Sequence, residues 1–480
     1  MSTIRIKKLG IKNYRSFGDS VVFDFPNSDY KKPVAIVGYN NSGKTNLLNS
    51  ILYGITEKYV NRDTFSINDF HNKDYNNVPS IVTLLESSIE KKSNGKEANL
   101  TGRHDLLITV DELEIIDAKI ESYKDSRVHD NNKNFNAFGA AKYYNIFYIN
   151  FHEIKKEIST QKTSWGNLTS FLAKHIKKIV ESDTQMISKK QKFNTRVKCS
   201  TKEVLKDSAL SKFIKDIKDN YSLNLRDNNC EIDFGLPEYE DIFLEMMFKI
   251  GLNGNKENLV PIDHFGDGYI SMFVMAVIKS IAESNDNDKC LFLFEEPESF
   301  LHENHQEYFY KMILCGLSEK GHQVIYTTHS DRMVDVFDTQ GLIRIEYDEE
   351  NNQTVKKYNN ISPINLEGSE VSGGITSFQD YNNYIKILEP SFNKILFSKK
   401  VLLVEGPNDM MTYKYIIERE LMNLGKDKKY AETFLNFKNI SIVPHHGKST
   451  AIYLIEICKH LKLDFFVIND FDFIDKDRKS

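Results

Sequence analysis

"GYNNSGKT", Gly38–Thr45, fits the pattern GxxxxGK[ST] and stands directly after the apolar run Val34–Val37 and before "NLLNSILYGI". That strand, loop, helix order is what the pattern needs to work as a phosphate-binding loop. Glycines let successive backbone N–H groups curl around phosphate oxygens, and the helix N-terminus adds positive potential. Lys44 neutralises the outer phosphates and Thr45 offers a hydroxyl to Mg²⁺. Gly38, Asn40, Asn41, Ser42, Gly43, Lys44, Thr45 and Asn46 are therefore the expected nucleotide contacts, with ATP and Mg²⁺ as cofactors. An ordinary glycine turn is the bland alternative, and the flanking strand and helix speak against it.

Two further segments fit the same chemistry. In "LFLFEEPESFLH" four apolar residues end in Glu295 and Glu296, the layout of a strand whose tip presents carboxylates to a metal and an attacking water. Glu295 is expected on Mg²⁺, through water, and Glu296 is expected to orient or deprotonate the hydrolytic water. "VIYTTHS" is another apolar strand, and it delivers His329 to where a γ-phosphate is sensed; alone, that histidine reads equally as a capped strand end.

Acids gather again near the C-terminus. "KKVLLVEGPNDMMTYKYII" sets Glu405 at the end of an apolar strand and Asp409 one turn into a helix, and "DFFVIND" ends in Asp470 and Asp472. Positions i and i+2 of an extended chain point the same way, so the two aspartates converge on one side. With "VPHHGKSTAIYLI" between them, the order is βαβαβ, and ligands of such a sheet sit at the carboxyl ends of its strands. Clustered carboxylates of this kind suit two divalent cations, Mg²⁺ or Mn²⁺ rather than zinc, that polarise a phosphodiester. Glu405, Asp409, Asp470 and Asp472 are the expected metal ligands; the bland reading is strand ends in solvent.

At 480 residues the chain exceeds one compact domain of about 100–200 residues. A hydrophobic content of 40% with 27% charged residues excludes wholesale disorder, and a net charge of -5 excludes a uniformly basic coat. Cys199, Cys230, Cys290, Cys315 and Cys458 have no CxxC spacing, which suits a reducing cytoplasm better than a zinc cluster or disulfide framework. "MSTIRIKKLGIKNYRSF" lacks the apolar core of a signal peptide, and no uninterrupted apolar run of about 18 residues occurs. A cytoplasmic protein without membrane contact is expected. Residues of about 85 to 240, lysine- and asparagine-rich, read as a helical insertion. Its stretches "KHIKK" and "SKKQKFNTRVK" are either solvated helix faces or tracks for a phosphate backbone.

The order phosphate loop, acidic strand, strand-histidine resembles ABC-type ATPases, the group containing the RecF, Rad50 and structural-maintenance proteins. "LGIKNYRSF" looks like their opening strand, and "DHFGDGYISMFVMAVI" lies where they carry the signature segment, which makes Gly266, Gly268 and Ser271 candidates beside the equal reading of a helix-capping loop. That resemblance implies ATP sandwiched between two heads, hence dimerisation. Glu405-Gly406, Asp409, Gly447 and Asp470-x-Asp472 resemble the Toprim domain of topoisomerases, primases and certain nucleases. The two together are similar to the OLD (overcoming-lysogenization-defect) family of nucleases, to which the nuclease subunit of Gabija antiphage systems belongs, and to some retron effectors.

The resemblance implies an α/β fold: an ABC-type ATPase head with a helical insertion, then a Rossmann-like Toprim domain that looks C-terminally truncated. The expected division is 1–84, ATPase N-terminal lobe; 85–240, helical insertion, with dimerisation as a candidate role; 241–365, ATPase C-terminal lobe; 366–398, linker; and 399–480, partial Toprim domain. It also implies an ATP-binding and hydrolysing, metal-dependent DNA endonuclease in prokaryotic antiphage defence. Glu296 and His329 would be catalytic for ATP, and Glu405, Asp470 and Asp472 for DNA. Implied partners are DNA, a second copy in a homodimer or homotetramer built through the ATPase part, and a defence-system protein or non-coding RNA or DNA. Only residues 473–480 follow Asp472, so either the sequence is a fragment of a longer protein or the Toprim fold is truncated; the second case gives a competing expectation, a non-nucleolytic ATP-dependent DNA or RNA sensor or clamp, RecF-like, with a degenerate Toprim domain.

Overall fold

The chain enters through β1 (Thr3–Lys12) and β2 (Val21–Asp24), paired antiparallel, then runs into β3 (Val34–Val37), buried at every residue, and α1 (Lys44–Ile55). The computed structural model describes residues 3–55, 60–90, 97–123, 145–151, 183–206, 264–284, 289–299, 301–362 and 392–469, with shorter pieces between them. Two compact units are present, residues 1–152 with 271–480, and residues 153–270.

Among the described residues the first unit holds three sheets. β4 (Ser80–Glu90), β5 (Glu97–Asp111) and β6 (Glu114–Tyr123) extend the opening pair into an antiparallel sheet ordered β2-β1-β4-β5-β6. A six-stranded sheet surrounds β3. Its members are β7 (Asn145–Asn150), β10 (Cys290–Glu295), β11 (Gln323–Thr327), β12 (Leu342–Asp348) and β13 (Gln353–Asn359), in the order β13-β12-β3-β11-β10-β7. All its pairings are parallel except β12 with β13. β10 and β11 are buried throughout, as strands covered on both faces must be, which is why they read as solid apolar runs. α1 packs against β1, β4 and β5 on one side and β10 and β11 on the other, burying Leu47, Leu48, Ile51 and Ile55 at helical spacing. That burial fixes the helix N-terminus at the carboxyl end of β3.

The stretch expected to open a helical insertion at residue 85 instead holds β4, which runs to Glu90, and the strands of Glu97–Asp111 and Glu114–Tyr123, and Asn145–Asn150 then joins the central sheet as its edge strand. The cause is visible on one face of the sheet, where Leu106, Ile108, Ala118 and Ile120 are buried, although charged residues outnumber them in the sequence of these strands. The hairpin turn, Glu112-Leu113, has positive φ at both residues (45° and 66°). Asn-Gly is the usual signal for such a turn, and it is absent.

Farther along, α4 (Glu303–Tyr308), a π-helical stretch Phe309–Cys315 and α5 (Gly316–Glu319) connect β10 to β11. The third sheet is parallel and ordered β15-β14-β16, from β14 (Lys400–Val404), β15 (Ile440–Pro444) and β16 (Phe465–Val467). α6 (Pro407–Asn423), α7 (Lys428–Phe437) and α8 (Lys448–His460) connect its strands, and Leu454, Ile457 and Cys458 of α8 are buried with Val401, Leu403 and Val404 of β14. The second unit contains α2 (Thr184–Leu205) and a short antiparallel pair, β8 (Lys249–Ile250) with β9 (Val260–Pro261). On α2 the basic run holds Lys189, Lys190, Lys192, Arg196 and Lys198. α3 (Asp267–Ser284) starts at the border of the two units. Among the described residues no helix is long and apolar enough to cross a membrane.

Candidate functional site

The phosphate loop leaves β3 at Gly38 and enters α1 at Lys44, with left-handed backbone at Asn41 (φ 64°) and Gly43 (φ 95°). At Gly43 the torsion and the surroundings both demand glycine, because a Cβ would lie 2.4 Å from Thr354 Oγ1 and 2.8 Å from Ser16 Oγ. Those two hydroxyls brace the loop: Thr354 donates to the Ser42 carbonyl at 3.0 Å, and Ser16 accepts from Asn46 Nδ2 at 2.9 Å. Residues 40–46 line a cavity of about 680 Å³ together with Glu296 and His329. The Ser42 hydroxyl is buried with no hydrogen-bond partner among the described residues. Lys44 donates from Nζ to its own loop, to Gly38 O at 3.0 Å and Tyr39 O at 3.1 Å. An unmatched donor, a buried ammonium and a helix N-terminus facing one space fit a nucleotide polyphosphate and its accompanying cation.

The two acids at the tip of β10 diverge. Glu295 is buried and its Oε2 accepts from the Tyr148 hydroxyl on β7, and it is not among the cavity-lining residues. Glu296 has left-handed backbone (φ 43°), with its N–H held by Thr327 Oγ1 at 3.1 Å, and its Oε1 lies 3.1 Å from His329 Nε2. The left-handed residue thus carries the second carboxylate into the cavity, where a carboxylate beside an imidazole can handle a proton. Glu298 supports this pair by accepting the backbone N–H of His329, and burial pushes its carboxyl pKa up. Ser330 braces the same loop through Oγ to Gln306 Oε1 at 2.7 Å.

At the third sheet, Glu405 and Gly406 follow directly on β14, the central strand. Gly406 donates its N–H to Asp409 Oδ2 at 2.9 Å, so one oxygen of that carboxylate caps α6. On the neighbouring strand, Ile468 N donates to Leu403 O at 2.9 Å, and Asn469 Oδ1 bonds the buried His445 ring at the end of β15. The carboxyl ends of all three strands therefore meet at one edge. Asp470 and Asp472 lie outside the described residues, and among the described ones no three His, Cys, Asp or Glu side chains form a metal-binding group.

Comparison with known proteins matches residues 5–334 to the AAA ATPase domain family. The chain belongs to that family. Residues 396–472 match the TOPRIM domain of overcoming-lysogenization-defect-like proteins. An OLD nuclease of Thermus scotoductus is 26% identical over 250 residues, covering 51% of this chain and 42% of that protein. Endonuclease GajA of Bacillus cereus is 23% identical over 446 residues, covering 86% of this chain and 68% of that one. The chain thus spans under half the length of the first relative and about two thirds of the second. Among solved structures, the SMC head domain from Thermotoga maritima aligns with a TM-score of 0.34 at 16% identity, covering 75% of this chain and all of that one.

In this AAA ATPase, burial lowers the Lys44 pKa from 10.5 to about 8, against the opposing pull of Glu296 and Glu298. Below pH about 8 the ammonium is present before ligand arrives; above it, a polyphosphate must recruit a proton. ATP affinity is therefore expected to fall about twofold from pH 7 to 8 and by up to about tenfold per pH unit beyond, while Lys44→Arg stays flat because a guanidinium keeps its charge. Calorimetric titration across that range checks it; a flat wild-type profile would refute the argument.

Ser16, Tyr148, Glu298 and Thr354 were absent from the residues expected from sequence. Only Glu298 had a signal, as a third acid in "EEPES"; the others reach the site through contacts distant in sequence. Gly266 and Gly268 are exposed near the start of α3, where a Cβ at either would meet nothing within 4 Å, while Ser271 is buried inside that helix.

Proposed function

We propose that this chain is an ATP-regulated, metal-dependent DNA endonuclease of the OLD type, acting in prokaryotic antiphage defence. The observation that carries the reading is that one compact unit holds both a phosphate-loop cavity containing Lys44, Glu296 and His329 and a TOPRIM strand followed directly by Glu405. The names of the relatives, OLD nuclease and Endonuclease GajA, support it.

In the ATPase part, Lys44 and the loop amides bind the phosphates, Glu296 orients or deprotonates the attacking water, and His329 faces the terminal phosphate. Thr45, and Glu295 through water, are the proposed holders of the nucleotide's cation. In the TOPRIM part, Glu405, Asp409, Asp470 and Asp472 would hold Mg²⁺ or Mn²⁺, which when bound polarises a phosphodiester and stabilises the leaving oxygen. The proposed setting is the cytoplasm, with DNA as substrate, a homodimer or homotetramer formed through the ATPase part, and a defence-system protein or nucleic acid as trigger.

The test is incubation of the purified chain with supercoiled, linear and single-stranded DNA, with Mg²⁺, Mn²⁺ or chelator, and with or without ATP. Nicking that needs the metal is the expected result. ATP binding without cleavage under every metal condition would favour the sensor or clamp instead.

A further inference from the structure

Between the nucleotide cavity and the TOPRIM strand runs a short, tightly held connection. His329 is followed, after Ser330, by the 3-10 turn Asp331–Met333. A single side chain satisfies three backbone groups of the segment 331–336: Asn393 Nδ2 donates to Asp331 O at 2.9 Å and Val334 O at 2.8 Å, and its Oδ1 accepts from Val336 N at 3.1 Å. Asn393 belongs to the 3-10 stretch Phe392–Phe397, which leads into β14 and so to Glu405.

Neighbouring contacts stiffen this link. Phe392 stacks on Phe337, with ring centroids 5.8 Å apart, and Phe337 stacks on Tyr453 of α8 at 6.2 Å. At the other end of the stretch, the buried Arg344 of β12 donates to Leu396 O at 3.4 Å and Ser398 O at 3.2 Å. Arg344 is paired in register with Val37, the residue before the phosphate loop. The stretch 392–398 is therefore tied to both walls of the cavity, to the histidine side by Asn393 and to the loop side by Arg344.

We propose that Asn393 is the positioning residue through which a change at His329 is passed to the TOPRIM strand carrying Glu405. This rests on the reading that both sites belong to one regulated nuclease, and names the route of the regulation. If His329 moves to meet a terminal phosphate, the turn at 331–336 moves with it, since only Ser330 intervenes. Asn393 must follow or leave three backbone groups without partners. An amide is the group required here: it offers two N–H donors and one acceptor on a planar head, whereas aspartate would set a carboxylate oxygen against two carbonyls. Coupling of two sites needs an element whose arrangement both bias, and this stretch contacts each.

The test compares the full chain with Asn393→Ala by hydrogen exchange of β14 and α6, with and without ATP and Mg²⁺. In the wild type, ATP is expected to change exchange there. In the variant, ATP affinity is expected to stay within about twofold and that change to vanish. A persisting change in the variant, or none in the wild type, overturns the proposal; so does a lowered melting temperature with the ATP response intact, which marks a purely structural role. If Asn393→Ala does not fold, Asn393→Ser is read the same way. Exchange does not depend on cleavage, so an inactive wild type would refute the nuclease reading while leaving this test standing.

Discussion

Glu296→Gln is expected to slow ATP hydrolysis by about 10²–10⁴-fold while ATP still binds. Gln has the shape of Glu and keeps an oxygen for the 3.1 Å contact with His329 Nε2, so the geometry of the pair survives. What disappears is a carboxylate able to accept a proton from water. The left-handed backbone at residue 296 makes the position sensitive to identity, since it aims that one side chain into the cavity while Glu295 stays against Tyr148. Phosphate release and ATP dissociation constants, measured on the same preparations, separate the two effects. Hydrolysis at the wild-type rate would mean that another group activates the water.

Much of the head was legible because buried parallel strands leave an unmistakable trace. β3, β10 and β11 are solid apolar runs, and each delivers its chemistry at its carboxyl end: the phosphate loop, the acid pair, the histidine. Half-buried antiparallel strands are harder to read. In β5 the exposed Leu107 separates the buried Leu106 and Ile108, and the following hairpin turns through Glu112-Leu113 without a glycine, so charges dominate the pattern and a helix was expected. Support residues were invisible for a different reason. Tyr148 meets Glu295 only because β7 pairs with β10 in parallel, and Thr354 meets the phosphate loop from the far edge strand. Local sequence carries no record of such pairings. Asn393, in "SFNKILF", likewise reads as a loop residue until its three backbone partners are in place.

In the TOPRIM domain, Glu405→Ala and Asp470→Ala are expected to remove metal-dependent nicking while leaving ATP binding unchanged. A divalent cation is worth several kcal/mol at the transition state, and about 4 kcal/mol corresponds to roughly a 10³-fold loss. The expected partnership of these two acids rests on the strand order. β14 lies between β15 and β16; His445 and His446 donate their backbone N–H groups to Val404 O at 2.8 Å and Glu405 O at 3.0 Å. The His445 ring also holds Asn469, at the edge where Glu405 emerges. Asp409 needs a gentler variant because one of its oxygens caps α6. Asp409→Asn retains an oxygen for that cap and loses only charge, so its cleavage defect should be partly rescued by raising the Mn²⁺ concentration, with α6 still folded. Plasmid nicking over a metal titration, alongside circular dichroism, reads all three variants. Cleavage surviving in both Glu405→Ala and Asp470→Ala would move the nuclease chemistry away from this sheet edge.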